Sequence, residues 1–263
     1  MQWPSLDEFR ELRRSLPVVA AVLFVAALAF PMWVIYVQAP QYPGEVLTLK
    51  LYAYPRLTGD YWEMAELNQY VGFYYPDPVY WEPNFRVHDR AINVPEWSFG
   101  WLAFVLVSAL SLFVALAPSV EKLKRGLKWQ LIGTVTVFTV MLIDIQYRLY
   151  QAGHSLDPDA PLMGVEAFTP PIWGKYEVAN ITSHSRFGSG VYLVLIAIGL
   201  LVVAYYYRDS TVTYQEFEAR VRARIATVIG SDTETAGSET ETVGSDTETE
   251  SNVRDEEATP SQR

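Results

Sequence analysis

Residues 17–38 read PVVAAVLFVAALAFPMWVIYVQ, an uncharged stretch of 22 positions. A helix needs about 20 apolar residues to cross roughly 30 Å of hydrocarbon, so this stretch reads as a membrane span. Arg10, Arg13 and Arg14 precede it, as the basic region of a signal peptide would. Its length exceeds a signal core and no small-x-small cleavage site follows, so it reads as an uncleaved anchor.

Three further runs of the same kind follow, at 98–118, 129–150 and 188–207. Trp33, Tyr36, Trp97, Trp101, Trp129, Tyr147, Tyr150 and Tyr205 to Tyr207 lie near their ends, where amphipathic rings prefer the headgroup region. The expectation is an all-α membrane protein, a four-helix bundle occupying residues 1–210. Between the second and third runs, the connection 119–128 carries Lys122, Lys124, Arg125 and Lys128, and Arg208 follows the fourth. Basic residues mark the cytoplasmic side. Both termini are therefore expected inside the cell membrane, and 39–97 and 151–187 outside it as small, mixed, proline-rich loops.

The chain has 263 residues, 30 acids and 20 bases, for a net charge of -10. Ten acids and two bases fall after Val228, so the acidity is mostly a tail. Residues 230–263 repeat Gly-Ser-Asp-Thr-Glu-Thr and its near copies every seven positions, without apolar anchors. Such a segment cannot offset its ordering entropy and is expected to be disordered, in keeping with a high-salt, halophilic setting. Ahead of it, Phe217, Val221, Ile225 and Val228 recur every three or four residues, predicting a cytoplasmic amphipathic helix over 211–229 against lipid headgroups.

Loop 39–97 contains a period-two stretch, Val46 to Tyr54, that predicts one strand. Asp60 to Val71 predicts a helix, with Asp60 and Glu63 as a capping box and Trp62, Ala65 and Tyr70 on one face. The prolines of 76–83 argue against regular structure beyond it. The two outer loops are long and aromatic, and are expected to pack on each other.

Cysteine is absent, which excludes disulfides, iron–sulfur clusters and thiolate metal sites. His88, His154 and His184 all fall in the expected outer loops, which argues against a haem held within the bilayer. There is no phosphate loop, no Gly-x-Ser-x-Gly and no His-Glu-x-x-His, and no catalytic residue is assigned. No nucleic-acid partner is expected. Asp144 and Arg148 are the ionisable groups within the spans, four apart on one helical face, where mutual pairing outweighs a transport role. Gly153-His154-Ser155-Leu156-Asp157-Pro158 can be a helix terminus followed by an Asx-type turn, or part of a divalent-metal site. Chemically, His154, His184 and Met163 form a set that suits copper. Asn180-Ile181-Thr182 is a glycosylation sequon on the expected outer side.

Several separated stretches, Asp144 to Tyr150, Gly153 to Pro161, Phe168 to Gly174, Gln38 to Pro43 and Glu66 to Phe73, occur in an order that resembles a largely uncharacterised group of four-span membrane proteins. Members are often encoded with nitrous-oxide reductase accessory or other copper-handling respiratory genes, which places them in denitrification. The resemblance covers residues 15–207. That group's first-loop motif reads Leu-Asn-His-Tyr-Ile-Gly-Met, whereas this chain has Gln69 and Phe73 at the His and Met places and keeps Asn68, His154 and Asp157. The resemblance implies a non-enzymatic membrane accessory protein supporting assembly or copper supply of an extracytoplasmic respiratory partner. The departures favour a metal-free scaffold or docking subunit. A metal or ion transporter is the third reading, resting on Asp144 and Arg148.

Overall fold

The computed structural model describes residues 11–74, 76–77, 92–162, 164–213 and eight positions between 215 and 225. It divides into two units, 1–213 and 214–263. In the second, the described positions are helical, which covers part of the expected amphipathic helix. The acidic repeats and His88 lie outside the described residues.

The 17–38 run is not one helix. Its helix, α1, spans Leu12–Ala27 and the chain then turns through Phe30-Pro31 into a strand, β1, at Trp33–Gln38. Proline at 31 cannot donate to a continuing helix, and the β-branched and aromatic residues of Trp-Val-Ile-Tyr-Val fit a pleated surface better than a helix. At about 1.5 Å per residue α1 is about 24 Å long, short of the hydrocarbon thickness. Among the described residues, three helical segments are long and apolar enough to cross a membrane: Pro95–Ala115, Val120–His154 and Ser189–Asp209. These make the chain compatible with a membrane protein. The all-α expectation is corrected, because a five-stranded antiparallel sheet accompanies the helices.

After β1 come β2 (Leu47–Leu51), β3 (Leu57–Gly59), α2 (Tyr61–Val71), and β4 (Pro76–Asp77), paired parallel with β5 (Ile92–Asn93). A 3-10 turn, Pro95–Phe99, leads into α3 (Gly100–Ala115). Next is α4 (Val120–His154), then β6 (Gly174–Val178), β7 (Ile181–Phe187) and α5 (Ser189–Tyr206). At 35 residues α4 is about 52 Å long and outruns a bilayer. It absorbs the expected basic loop: Ser119 caps its N-terminus by accepting from the Lys122 amide, so Lys122, Lys124, Arg125 and Lys128 lie on its first turns.

In the bundle α1 packs on α3 and α5, and α4 packs on the same two helices. Phe138 of α4 meets Phe104 of α3 edge-on at 5.1 Å and stacks with Phe24 of α1 at 5.7 Å, closing the centre. Valines 19, 22 and 25 of α1, Leu106 and Phe113 of α3, Ile143 of α4 and Leu195 of α5 remain exposed, an apolar belt on every helix. Such an area is unfavourable in water and natural in lipid.

The sheet runs β3-β2-β1-β7-β6. Its two central strands continue the two most closely packed helices: β1 leaves α1, and β7 enters α5 through Gly188, whose amide donates to Met32 O at 2.8 Å. One antiparallel ribbon thus changes from helix pair to strand pair. The inner face buries Val37, Leu47 and Leu49 against Met64 and Leu67 of α2. The expected α2 face is corrected accordingly, with Met64, Ala65, Leu67 and Val71 buried while Trp62 and Tyr70 are exposed. No capping box forms; Asp60 instead accepts from the Thr48 amide at 2.7 Å and ties α2 to β2.

The two segments expected as outer loops pack together. Asp157 N donates to Gly72 O at 2.8 Å and Leu162 N to Tyr70 O at 3.1 Å. Gly72 has φ +86, and a Cβ there would lie 2.9 Å from that of Ala160. Phe168 stacks between Phe73 and Tyr176, joining the exit of α2 to β6.

Candidate functional site

At the sheet end of the bundle the last turns of α4 carry a polar collar. Arg148 Nε donates to Glu96 Oε1 at 2.5 Å and Arg148 Nη1 to Gln151 Oε1 at 3.0 Å. The expected Asp144–Arg148 pair is therefore corrected: the hydrogen-bonded partner is Glu96, from the turn that enters α3. Asp144 joins this group through a hydrogen bond between its carboxyl and that of Glu96. Gln146 Nε2 donates to Pro170 O at 3.4 Å, fastening the connection 155–173 to the helix. Each of these polar groups has a structural occupation.

His154 closes the last turn of α4, as the helix-terminus reading expected, so it lies at the helix end and not within the connection 155–173. Its Nδ1 lies 2.9 Å from Tyr150 O and its ring stacks on Tyr150 at 4.0 Å, with the side chain exposed. Asp157 forms the expected Asx turn, Oδ1 accepting from Asp159 N at 3.0 Å. The backbone carbonyl of Asn68 accepts from Gly72 and Phe73 and closes the C-terminus of α2. Met163 lies outside the described residues.

His184 sits on β7, opposite Tyr36 of β1 and Lys175 of β6. Arg186 Nε donates to His184 Nε2 at 3.3 Å. The imidazole lone pair is therefore engaged by a cation, which opposes metal capture at that nitrogen. Among the described residues no group of three or more His, Asp or Glu side chains is placed to hold a metal ion.

The face of the sheet turned away from α2 has a character of its own. Alternation brings Tyr36, Gln38, Lys50, Lys175, Glu177 and Arg186 to it, all exposed, with Thr182 and His184 half-buried. Tyr36, Gln38, Val46, Lys175, Thr182, His184 and Arg186 line a shallow groove there. Three permanent cations face one carboxylate on a chain whose net charge is negative. Thr182, His184 and Arg186 alternate with Ile181, Ser183, Ser185 and Phe187, but with serines on the inner side the apolar–polar period that marks a strand in a sequence is weak.

Two further groups escaped the sequence reading. Glu96 stands at the entry of one span as Arg148 stands at the exit of the next. Gln130, 1% exposed within the bundle, donates to Val107 O at 3.1 Å and to Ser111 Oγ at 2.7 Å, clamping α4 to α3.

Comparison with protein-family models, with curated proteins and with solved structures finds no match for this chain.

Proposed function

We propose that this protein is a membrane-embedded accessory subunit whose extracytoplasmic sheet docks an acidic surface of a partner, the respiratory enzyme that the sequence resemblance implies. In this reading α1, though short, is the fourth membrane segment, and the basic ends of α1, α4 and α5 lie in the cytoplasm. The observation that carries it is the exposed face of Tyr36, Lys50, Lys175 and Arg186 on rigid, paired strands. A large aromatic ring among cations is the composition of a docking surface, since Tyr and Arg anchor interfaces and charge selects the partner.

A photo-crosslinking residue replacing Tyr36 in native membranes is expected to trap one discrete extracytoplasmic polypeptide. Combining it with Lys175→Glu and Arg186→Glu should cut the yield roughly tenfold, because like charges then face each other. Equal trapping from Trp62 on α2, or no response to the charge reversal, contradicts the reading.

Copper supply is the second reading. His154 favours it as an exposed imidazole at the end of α4, with Nδ1 engaged and Nε2 turned to no described partner.

A further inference from the structure

We infer that the opposite end of the bundle holds a seat for the headgroup of an anionic phospholipid, between the first turns of α4 and the last turn of α5. A groove of about 680 Å³ is lined there by Glu121, Lys124, Arg125, Lys128, Trp129, Tyr205 and Arg208. Spacing explains the cluster. Lys124, Arg125 and Lys128 are one, three and four residues apart on α4 and so lie on adjoining parts of its surface. Tyr205 and Arg208 come from the end of α5, and the Arg208 guanidinium lies 4.1 Å from the centre of the Tyr205 ring.

The charges do not cancel locally. Lys124 pairs with Asp209 at 2.6 Å and Arg208 lies 3.5 Å from the same carboxylate. Glu121 is the single acid in the lining, so four cations face two carboxylates. Neither Arg125 nor Lys128 has an acidic partner among the described residues. The surplus of positive charge suits the phosphate of an anionic headgroup. Trp129, 63% exposed, stands at the rim. Its ring, with that of Tyr205, supplies the headgroup-level contact that indoles and phenols make in a bilayer, while the apolar faces of α4 and α5 continue beside the acyl chains. Free phosphate shares the charge and lacks those chains. This seat depends on the membrane reading alone and not on the docking face.

The test uses the full chain reconstituted in phosphatidylcholine bilayers, with tail-brominated phosphatidylcholine, phosphatidylglycerol or cardiolipin as a minor component. The readout is the Trp129 share of the fluorescence, taken as the difference from Trp129→Phe. Quenching should reach half-saturation at a roughly tenfold lower mole fraction of the anionic lipids than of phosphatidylcholine. Arg125→Gln with Lys128→Gln should abolish the difference, whereas Lys50→Gln, on the sheet, should preserve it. Equal quenching by all three lipids in the unaltered chain overturns the inference, whatever the variants do. So does full relief of anionic-lipid quenching by millimolar inorganic phosphate, which would assign the groove to the free ion.

Discussion

Arg14 of α1 reaches across the bundle to Ala115 of α3: its Nη1 donates to the Ala115 carbonyl at 2.9 Å and to Ala117 O at 2.9 Å. These oxygens belong to the end of α3, where helical carbonyls lack partners and the dipole is negative. The side chain is 2% exposed, so this cap is buried.

Replacing Arg14 by Met therefore leaves those carbonyls without their donor and opens the junction of α1 with α3. We expect a loss of about 2–4 kcal/mol, read as a lower thermal midpoint of the detergent-solubilised protein. Arg13→Met, which removes the 2.7 Å pair with Glu11, should cost less than half as much. Equal effects would show that Arg14 acts only through its charge.

Gly153 fixes the connection after α4. A Cβ at this position would lie 1.8 Å from Phe168 O, and Phe168 N donates to Gly153 O at 3.0 Å. Gly153→Ala should therefore release 155–173 from the helix, costing about 1–3 kcal/mol and opening Asp157 to Trp173 to limited proteolysis. Gly199→Ala meets nothing within 4 Å and should leave the digestion pattern unchanged.

Arg148 bonds Glu96, whereas Asp144 joins the pair through the Glu96 carboxyl and not through the guanidinium, so the two acids are not equivalent. Glu96→Gln is expected to lower stability by roughly 1 kcal/mol, the pair being partly open to solvent. Asp144→Asn should leave it within about 0.5 kcal/mol of the parent or raise it. A larger loss at Asp144 would return weight to a transport role.

Titration of the purified protein with Cu(I) and Cu(II) decides the copper reading. Stoichiometric, micromolar or tighter binding that vanishes in His154→Ala supports copper supply. Loss in His184→Ala is not expected, since Arg186 already occupies that nitrogen. No binding leaves docking as the whole function.

How far the fold could be read ahead varied with the range of the forces that set it. Span 188–207 and α5 agree within a residue, because length and hydropathy are local properties and Gly188 marks the start. Residues 17–38 misled because apolar content does not separate a helix from a buried strand. Residues 33–38 become a strand by pairing with 47–51 on one side and with 182–187, about 150 positions away, on the other, and that second partner lies outside any local window. The basic residues of 119–128 read as a loop because charge reports the side of a membrane and not the backbone. Arg14 shows the same limit, for its charge was legible and its cap was not. Of the candidate site, His184 was named but its neighbours Tyr36 and Lys175 were not, since register alone puts them together.

In the proposed arrangement the sheet faces outward and the basic helix ends face in. The chain lacks cysteine, so single cysteines report cleanly. Lys175→Cys, on the exposed face of β6, and Lys128→Cys, on the third turn of α4, are labelled in intact cells with a membrane-impermeant maleimide. Rapid labelling is expected at position 175, and labelling at position 128 only after permeabilisation. Labelling at 128 in intact cells, with 175 protected until the membrane is opened, would contradict that arrangement.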